Sequence, residues 1–306
     1  MDLVLSILLG VVVAATPLAF AAIGELVTER SGVLNLGVEG MMIIGAIAAF
    51  AATYGTGSYI IGSLAGALAG AAMGALFGVL TLSLMSNQVA TGLALTLFGL
   101  GLSALIGQSY SGVSLPRFPQ VHIPILTDIP FVGPLLFGQD GLVYLSIALV
   151  AGVSWFLAST RAGLILRAAG ENHDAAHAIG YPVIGIRYLA VMFGGACAGL
   201  GGAYLSLVQT PLWVENMSAG RGWIALALVV FASWKPTRVL GGAYLFGGVA
   251  ILQLHSQALG LRVDPQILSM LPYLATIVVL VVISRDRMTM TLNAPACLGR
   301  AFHASS

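Results

Sequence analysis

The residues best placed to do chemistry in this 306-residue chain lie in three polar islands. The first, ELVTERSGVLNLGVEG, holds Glu25, Glu29, Arg30, Asn35 and Glu39; the second, MSNQVATG, holds Asn87 and Gln88; the third, VENMSAGRGW, holds Glu215, Asn216 and Arg221. Amides and carboxylates set among glycines can hydrogen-bond a small polar solute, and a carboxylate kept from water can carry a proton. Covalent and metal chemistry find less support. His122, His173, His177, His255 and His303 are scattered, and there is no HExxH, no GxSxG and no facing carboxylate pair, so no catalytic residue and no metal ligand is assigned. Cys197 and Cys297 are too few and too differently placed for a disulfide framework or a metal site. The single lysine, Lys235 in SWKPT, excludes a GxxxxGK[ST] phosphate loop, so any ATP would have to be hydrolysed on another chain.

The surroundings of these islands set the cost of keeping them. The chain is 58% hydrophobic and 8% charged, against about 25% charged in a typical soluble chain. Apolar stretches such as YIIGSLAGALAGAAMGALFGVLTLSL recur along nearly its whole length and reach the roughly 20 residues that a spanning helix needs. The expected fold is an all-α polytopic membrane bundle, one domain over residues 1–306, with about nine transmembrane helices (8 to 10). They fall near 3–24, with Pro17 as a kink, and near 39–54, 59–84, 88–109, 141–159, 185–208, 221–234, 238–256 and 268–284. The first stretch has no basic leader and no clear cleavage site, and reads as a span. With the 160–184 loop placed inside, alternation puts nine of the twelve Lys and Arg on that side. Basic residues favour the cytoplasm, so the tail near 285–306 is expected inside and the N-terminus outside. The net charge of +1 carries no message about nucleic acid or acidic partners; membrane lipid is the expected surrounding partner and no nucleic acid is expected.

In hydrocarbon a polar side chain costs a few kcal/mol unless paired or wet, so Asn35, Glu39, Asn87, Gln88, Asn216 and Arg221 are candidate pathway residues facing the bundle interior. The first and third islands share a form, an Asn, then glycines, then a fresh apolar helix: NLGVEGMMIIGAI against NMSAGRGWIALAL. Broken helices of opposite direction meeting near the midplane are what inverted repeats produce. The alternative is an ordinary interfacial loop, with Glu25, Glu29 and Arg30 solvated and Asn35 capping the next helix. The repeated small residues of GSLAGALAGAAMGA and FGGACAGLGGAY suit close helix packing. The proline-rich 109–140 stretch reads as an external loop.

The loop TRAGLILRAAGENHDAAHAIGYPVIG is polar for a different reason. Glu171 and Asn172 can cap a short helix running to about Ile179, which Gly180 and Pro182 end. Ala175, Ala176, Ala178 and Ile179 could present a small apolar face to a partner.

Taken together, ERSGVLNLGVEGMMIIGA, NQVATGLALTL, TRAGLILRAAGENHDAAHAIG, RYLAVMFGGACAGLGGAYLSL and ENMSAGRGWIALALVVFASWKP resemble the membrane subunits of bacterial ATP-binding cassette importers. The resemblance is to the branched-chain amino acid and simple-sugar permease superfamily, and within it to nucleoside permeases. It covers about Ile23 to Leu274. It implies a type II importer half in the bacterial cytoplasmic (inner) membrane, with a second related permease, a cytoplasmic ATPase that binds the ATP and Mg, and an external substrate-binding protein. This chain would bind no cofactor of its own. The coupling helix would map onto GENHDAAHAIG, giving Arg167, Gly170, Glu171, Asn172, Ala175, Ala176 and Gly180 contact roles toward the ATPase. His173 stands where the resemblance leads to proline. Nucleosides are the implied cargo, with a simple sugar as alternative. A proton- or sodium-coupled transporter titrating Glu25, Glu29 or Glu39 is the rival from another class.

Overall fold

The computed structural model describes residues 2–256 apart from Ile123 and Ile125, residues 293–303, and five isolated positions, Met270, Leu274, Ile277, Val278 and Val281. The span expected near 268–284 lies outside the described residues apart from those positions. Within the described residues the fold is helical, with no strand and two isolated β-bridges.

Among the described residues, seven helices are long and apolar enough to cross a membrane. They are α1 (Asp2–Arg30), α2 (Val38–Thr56), α3 (Tyr59–Gly78), α4 (Gln88–Gly107), α6 (Gly141–Ser159), α9 (Val183–Tyr204) and α11 (Pro236–Ser256). Turns of π-helix extend α3 over Val79–Ser83 and α9 over Leu205–Gln209. Caps mark the starts: Ser58 accepts from Ile61 N–H, Asn87 from Ala90 N–H, and Asp140 from Leu142 and Val143 N–H. The short helices are α5 (Val132–Leu136) in the proline-rich segment, α7 (Arg161–Glu171), α8 (His173–Ala178) and α10 (Arg221–Phe231).

Three differences from the sequence reading matter for the site. The first helix does not stop near residue 24 but runs through Pro17 to Arg30, so Glu25, Glu29 and Arg30 are helical and not in an interfacial loop. Glu25 and Glu29 are 1% and 2% exposed. Good helix formers extend the turn, and partners from other elements make that burial tolerable. The stretch near 221–234 forms only the 11 residues of α10, about 16 Å long, half of a bilayer's hydrocarbon core. Glu171 closes α7 instead of opening the short helix expected to run to about Ile179; that helix is α8, which begins at His173.

The centre of the bundle is α2, sheathed by α1, α3, α4 and α9 and buried from Val38 through Ile47. Glycines let these backbones touch. A Cβ on Gly45 would meet the Gly199 backbone, one on Gly70 the Gly195 carbonyl, and one on Gly202 the Met42 carbonyl. The α1 and α9 helices run antiparallel, with Thr28 Oγ1 donating to Ala190 O and Gly201 packed beneath Pro17. This sets the direction of the rest. Arg30, Arg187, Trp234, Lys235 and Arg300 gather at one end of the bundle, hereafter the basic end, where Arg30 reaches Trp234 O and Arg187 reaches Ser31 O and Arg300 O.

Candidate functional site

Two interruptions of helix meet in the middle of the bundle, and one carboxylate joins them. After α1 the chain turns at Gly32 and re-enters as the non-helical link 31–37 before α2 begins. On the other side, residues 210–220 descend without regular structure to the start of α10. Glu39, in the first turn of α2 and 3% exposed, accepts from Ser218 Oγ at 2.5 Å and Gly220 N–H at 2.9 Å through Oε1, and from Gly222 N–H at 2.6 Å through Oε2. A carboxylate at the positive end of a helix dipole, receiving the N–H groups that no helical turn satisfies, is in its most favourable backbone environment. A side chain on Gly222 would strike the Glu39 backbone, its Cβ lying 2.6 Å from Glu39 Cα. The turn before α10 is wound through left-handed Asn216, Ala219 and Gly220. Arg221 folds back over it, its Nη1 donating to Met217 O and Ser218 O at 2.9 and 3.3 Å.

The second island closes the same joint from a third side. Gln88 Oε1 accepts from Leu34 N–H at 2.8 Å, Thr96 Oγ1 donates to Leu36 O at 3.1 Å, and Gly92 lies against the Leu36 backbone. Asn35 ties the link to α1, its N–H and Nδ2 donating to the Glu25 carboxylate at 3.3 and 3.4 Å while its Oδ1 accepts from Gly37 N–H. Of the six candidate pathway residues, Asn35, Glu39 and Gln88 are buried, Arg221 is half-buried, and Asn87 and Asn216 are exposed. The three islands therefore converge, but their buried members spend their polar atoms on one another. A separate cavity of ≈ 680 Å³ between α1, α6, α7 and α9, lined by Leu149, Val153, Phe156, Ile186, Leu189 and Phe193 among others, is apolar and lies apart from this joint.

At the basic end, Glu29 accepts from Trp234 Nε1 at 2.5 Å, and Arg30 donates to Trp234 O and Asn293 O. These contacts hold Ser233 and Trp234 in left-handed backbone, which costs roughly 1–2 kcal/mol per residue. Beside them stand α7 and α8. Asn172 caps α8 by accepting from Ala175 N–H, and Gly180, at φ +92°, closes the turn after it. Ala175 and Ile179 face outward, whereas Ala176 is buried. Glu171 is exposed and Arg167 half-buried. Gly170, to which the resemblance gives a contact role toward the ATPase, is buried, and a Cβ there would meet the Arg30 carbonyl. A bulky residue at Gly170 would therefore disturb the bundle itself.

Two side chains central to this end, Arg187 and Trp234, were not among the candidates. Arg187 is 1% exposed; its Nε donates to Ser31 O at 3.1 Å, its Nη1 to Arg300 O at 3.2 Å, and its Nη2 to His173 Nδ1 at 3.1 Å. The available signal was an arginine one turn into an apolar helix. His173 here does what proline could not, by offering Arg187 an acceptor.

That contact fixes His173 as the neutral imidazole. Burial first, then the Arg187 charge, holds its pKa below the ordinary value; Asp174 opposes this and Arg300 adds to it. A His with a lowered folded pKa contributes stability that is complete above its unfolded value of about 6.5 and is lost as pH falls through the folded value. Between pH 7 and 5 the native protein is expected to lose thermal stability, while His173→Gln, which keeps an acceptor and does not titrate, follows a flatter profile. Parallel unfolding midpoints for the two proteins across that range would refute this.

Among the described residues no three His, Cys, Asp or Glu side chains stand close enough to hold a metal ion. Irregular backbone that meets inside a sheath of spanning helices, as at this joint, is a feature of membrane transporters among other membrane proteins. The chain belongs to the branched-chain amino acid transport system / permease component family, which matches residues 7–283. It is 43% identical to the putative glucose ABC transporter permease protein TsgC13 of Haloferax volcanii, over 99% of both chains. It is 34% identical to the guanosine ABC transporter permease protein NupQ of Bacillus subtilis, over 92% of this chain and 93% of that one. With the nucleoside ABC transporter permease protein NupC of Lactococcus lactis it shares 32% over 90% of each.

Proposed function

We propose that this chain is the non-catalytic transmembrane subunit of an ATP-binding cassette importer and that the Glu39 joint forms part of the path of a small, uncharged, hydroxyl-rich solute. The convergence of three polar islands on that joint carries the reading. Non-helical backbone at membrane depth is tolerated where it is enclosed by protein or lines a wet cavity, and the link 31–37 and the segment 210–220 are enclosed by protein where they meet at Glu39. Away from that joint α2 runs outward and α10 runs toward the basic end, which supports inverted repeats. On this reading the basic end is cytoplasmic, by the preference of Lys and Arg for that side, and the N-terminus is external. A ninth span and a second permease subunit complete the expected half-transporter and its partner, and a cytoplasmic ATPase and an external binding protein complete the assembly.

The buried members, Asn35, Glu39 and Gln88, shape the wall. Asn216, which is exposed, and Arg221, which is half-buried, are the groups offered to solute. The rival ion-coupled reading is weakened at Glu39, whose two oxygens already accept three hydrogen bonds. Nucleosides remain the cargo that the sequence resemblance favours, and the relatives at 34% and 32% support them. A sugar is the second reading, favoured by the relative at 43%. The shared chemistry is the polyol, which amides can hydrogen-bond without a counter-ion.

Uptake by the reconstituted system should be measured with labelled guanosine and labelled glucose, under ATP depletion and under collapse of ion gradients. Uptake that needs ATP and survives gradient collapse supports the importer; uptake driven by the gradient alone overturns it. Transport of glucose and of no nucleoside assigns the second cargo. Coupling is tested at the exposed Ala175. Ala175→Trp should leave the permease folded while transport and ligand-stimulated ATP hydrolysis fall together by at least about tenfold, the size of a coupling worth 1.4 kcal/mol. Normal transport would place the docking surface elsewhere, with the SWKPTR turn as the next candidate.

A further inference from the structure

The segment Asn293–His303 is laced to the basic end at points that belong to different elements. Cys297 N–H donates to Gly170 O at 2.9 Å and Ala296 N–H to the Glu171 carboxylate at 3.4 Å, both at the end of α7. Gly299 N–H donates to Gly32 O at 3.1 Å, on the link between α1 and α2. Phe302, 6% exposed, packs among Ala169, Ala176 and Val183, with its ring 5.2 Å from that of His173 and 5.3 Å from that of His177. Arg187 closes the set, since its three bonds go to Ser31 on the link, His173 on α8 and Arg300 on the tail.

We infer that residues 293–303 and Arg187 form a strap that fastens α8 to the α1–α2 link, making Arg187 and Phe302 positioning residues for transport. The inference rests on the proposed role of α8 as the docking element. Its physical basis is that a displacement of α8 cannot be absorbed locally. Moving α8 away from the link would strip the buried Arg187 guanidinium of its acceptor on one side or the other, His173 or Ser31, and leaving a buried charged donor unsatisfied is costly, which favours moving the link with α8. The link leads through Asn35 and Gly37 to Glu39, and Glu39 holds the start of α10. A push on α8 therefore reaches the joint where the polar islands meet, and the strap makes the basic end move as one body. Without it, α8 is joined to the bundle mainly through its chain neighbours α7 and α9.

The test uses the complete importer in proteoliposomes and measures solute transported per ATP hydrolysed, alongside assembly with the ATPase. Two variants cut the strap: Phe302→Ala and a truncation after Gly299, which removes the Arg300 carbonyl and the Phe302 ring. Each is expected to assemble and hydrolyse ATP, and to transport at least about fivefold less solute per ATP, the low end of a typical coupling between sites. Phe302→Leu, which keeps apolar contact with Ala169, Ala176 and Val183, should retain the native ratio. An unchanged ratio in the assembled variants overturns the strap, and so does failure of both to assemble, which would make the tail a folding element. A native complex that transports nothing on ATP addition would instead strike the importer reading itself.

Discussion

Glu39→Leu is expected to abolish transport, by at least about a hundredfold, and to lower stability by roughly 3 kcal/mol or more. The substitution leaves Ser218 Oγ–H, Gly220 N–H and Gly222 N–H without their acceptor. An unsatisfied buried donor costs about 1–3 kcal/mol, and Ser218 and Gly222 are both buried, while Gly220 is half-buried and recovers part of its loss from water. The energy is concentrated at one joint, so the loss appears as a detached α10 and not as general loosening. Glu39→Gln separates charge from geometry. Its carbonyl can replace one oxygen, but its NH2 then faces an N–H or hydroxyl donor, and an intermediate loss of about 1–3 kcal/mol follows. Exposed Glu215 supplies the control, where Glu215→Gln should stay within about 0.5 kcal/mol. Thermal unfolding and ATP-driven uptake measure both effects. A Glu39→Leu protein that melts and transports like the native one would remove the joint from the mechanism.

Gly202→Leu should prevent the bundle from forming, because a Cβ at that position would occupy the space of the Met42 carbonyl in the most buried helix of the fold. Ordinary overpacking costs about 1–3 kcal/mol because flexible side chains give way. Backbone against backbone has no such relief, so α2 and α9 would have to separate along their length, and their neighbours Gly45 and Gly199 would lose contact as well. The monodisperse fraction after detergent extraction is the direct measurement. Gly152→Ala and Gly241→Ala, at glycines with open space around the added carbon, should be neutral or stabilise by up to about 1 kcal/mol. Recovery of native-like, monodisperse Gly202→Leu protein would show that the seam yields more than its geometry allows.

Much of this organisation could be read from residue types and local spacing, because their physics is local or averaged over the membrane. Stretches of roughly 20 apolar residues declare spanning helices whatever surrounds them. Desolvation cost singles out Asn35, Glu39 and Gln88 as inward-facing before any partner is known. Asn172 as the cap of α8 and Gly180 as its end follow from backbone stereochemistry within a few residues. The tertiary arrangement alone paired Glu39 with Ser218, 179 positions away, and Glu29 with Trp234, 205 away. No periodicity or spacing encodes such partners, since each depends on how the sheathing helices stack. The same holds for Arg187, which looks like a stray charge at the head of an apolar helix until the tail, the link and α8 are brought around it. The extension of α1 past residue 24 belongs there too, for Glu25 and Glu29 can enter the bundle only because Asn35 and the Trp234 indole arrive from other elements to meet them. Where a residue's environment is set by its own neighbours in sequence, chemistry along the chain is enough; where it is set by long-range packing, the partner is known only once the chain has folded.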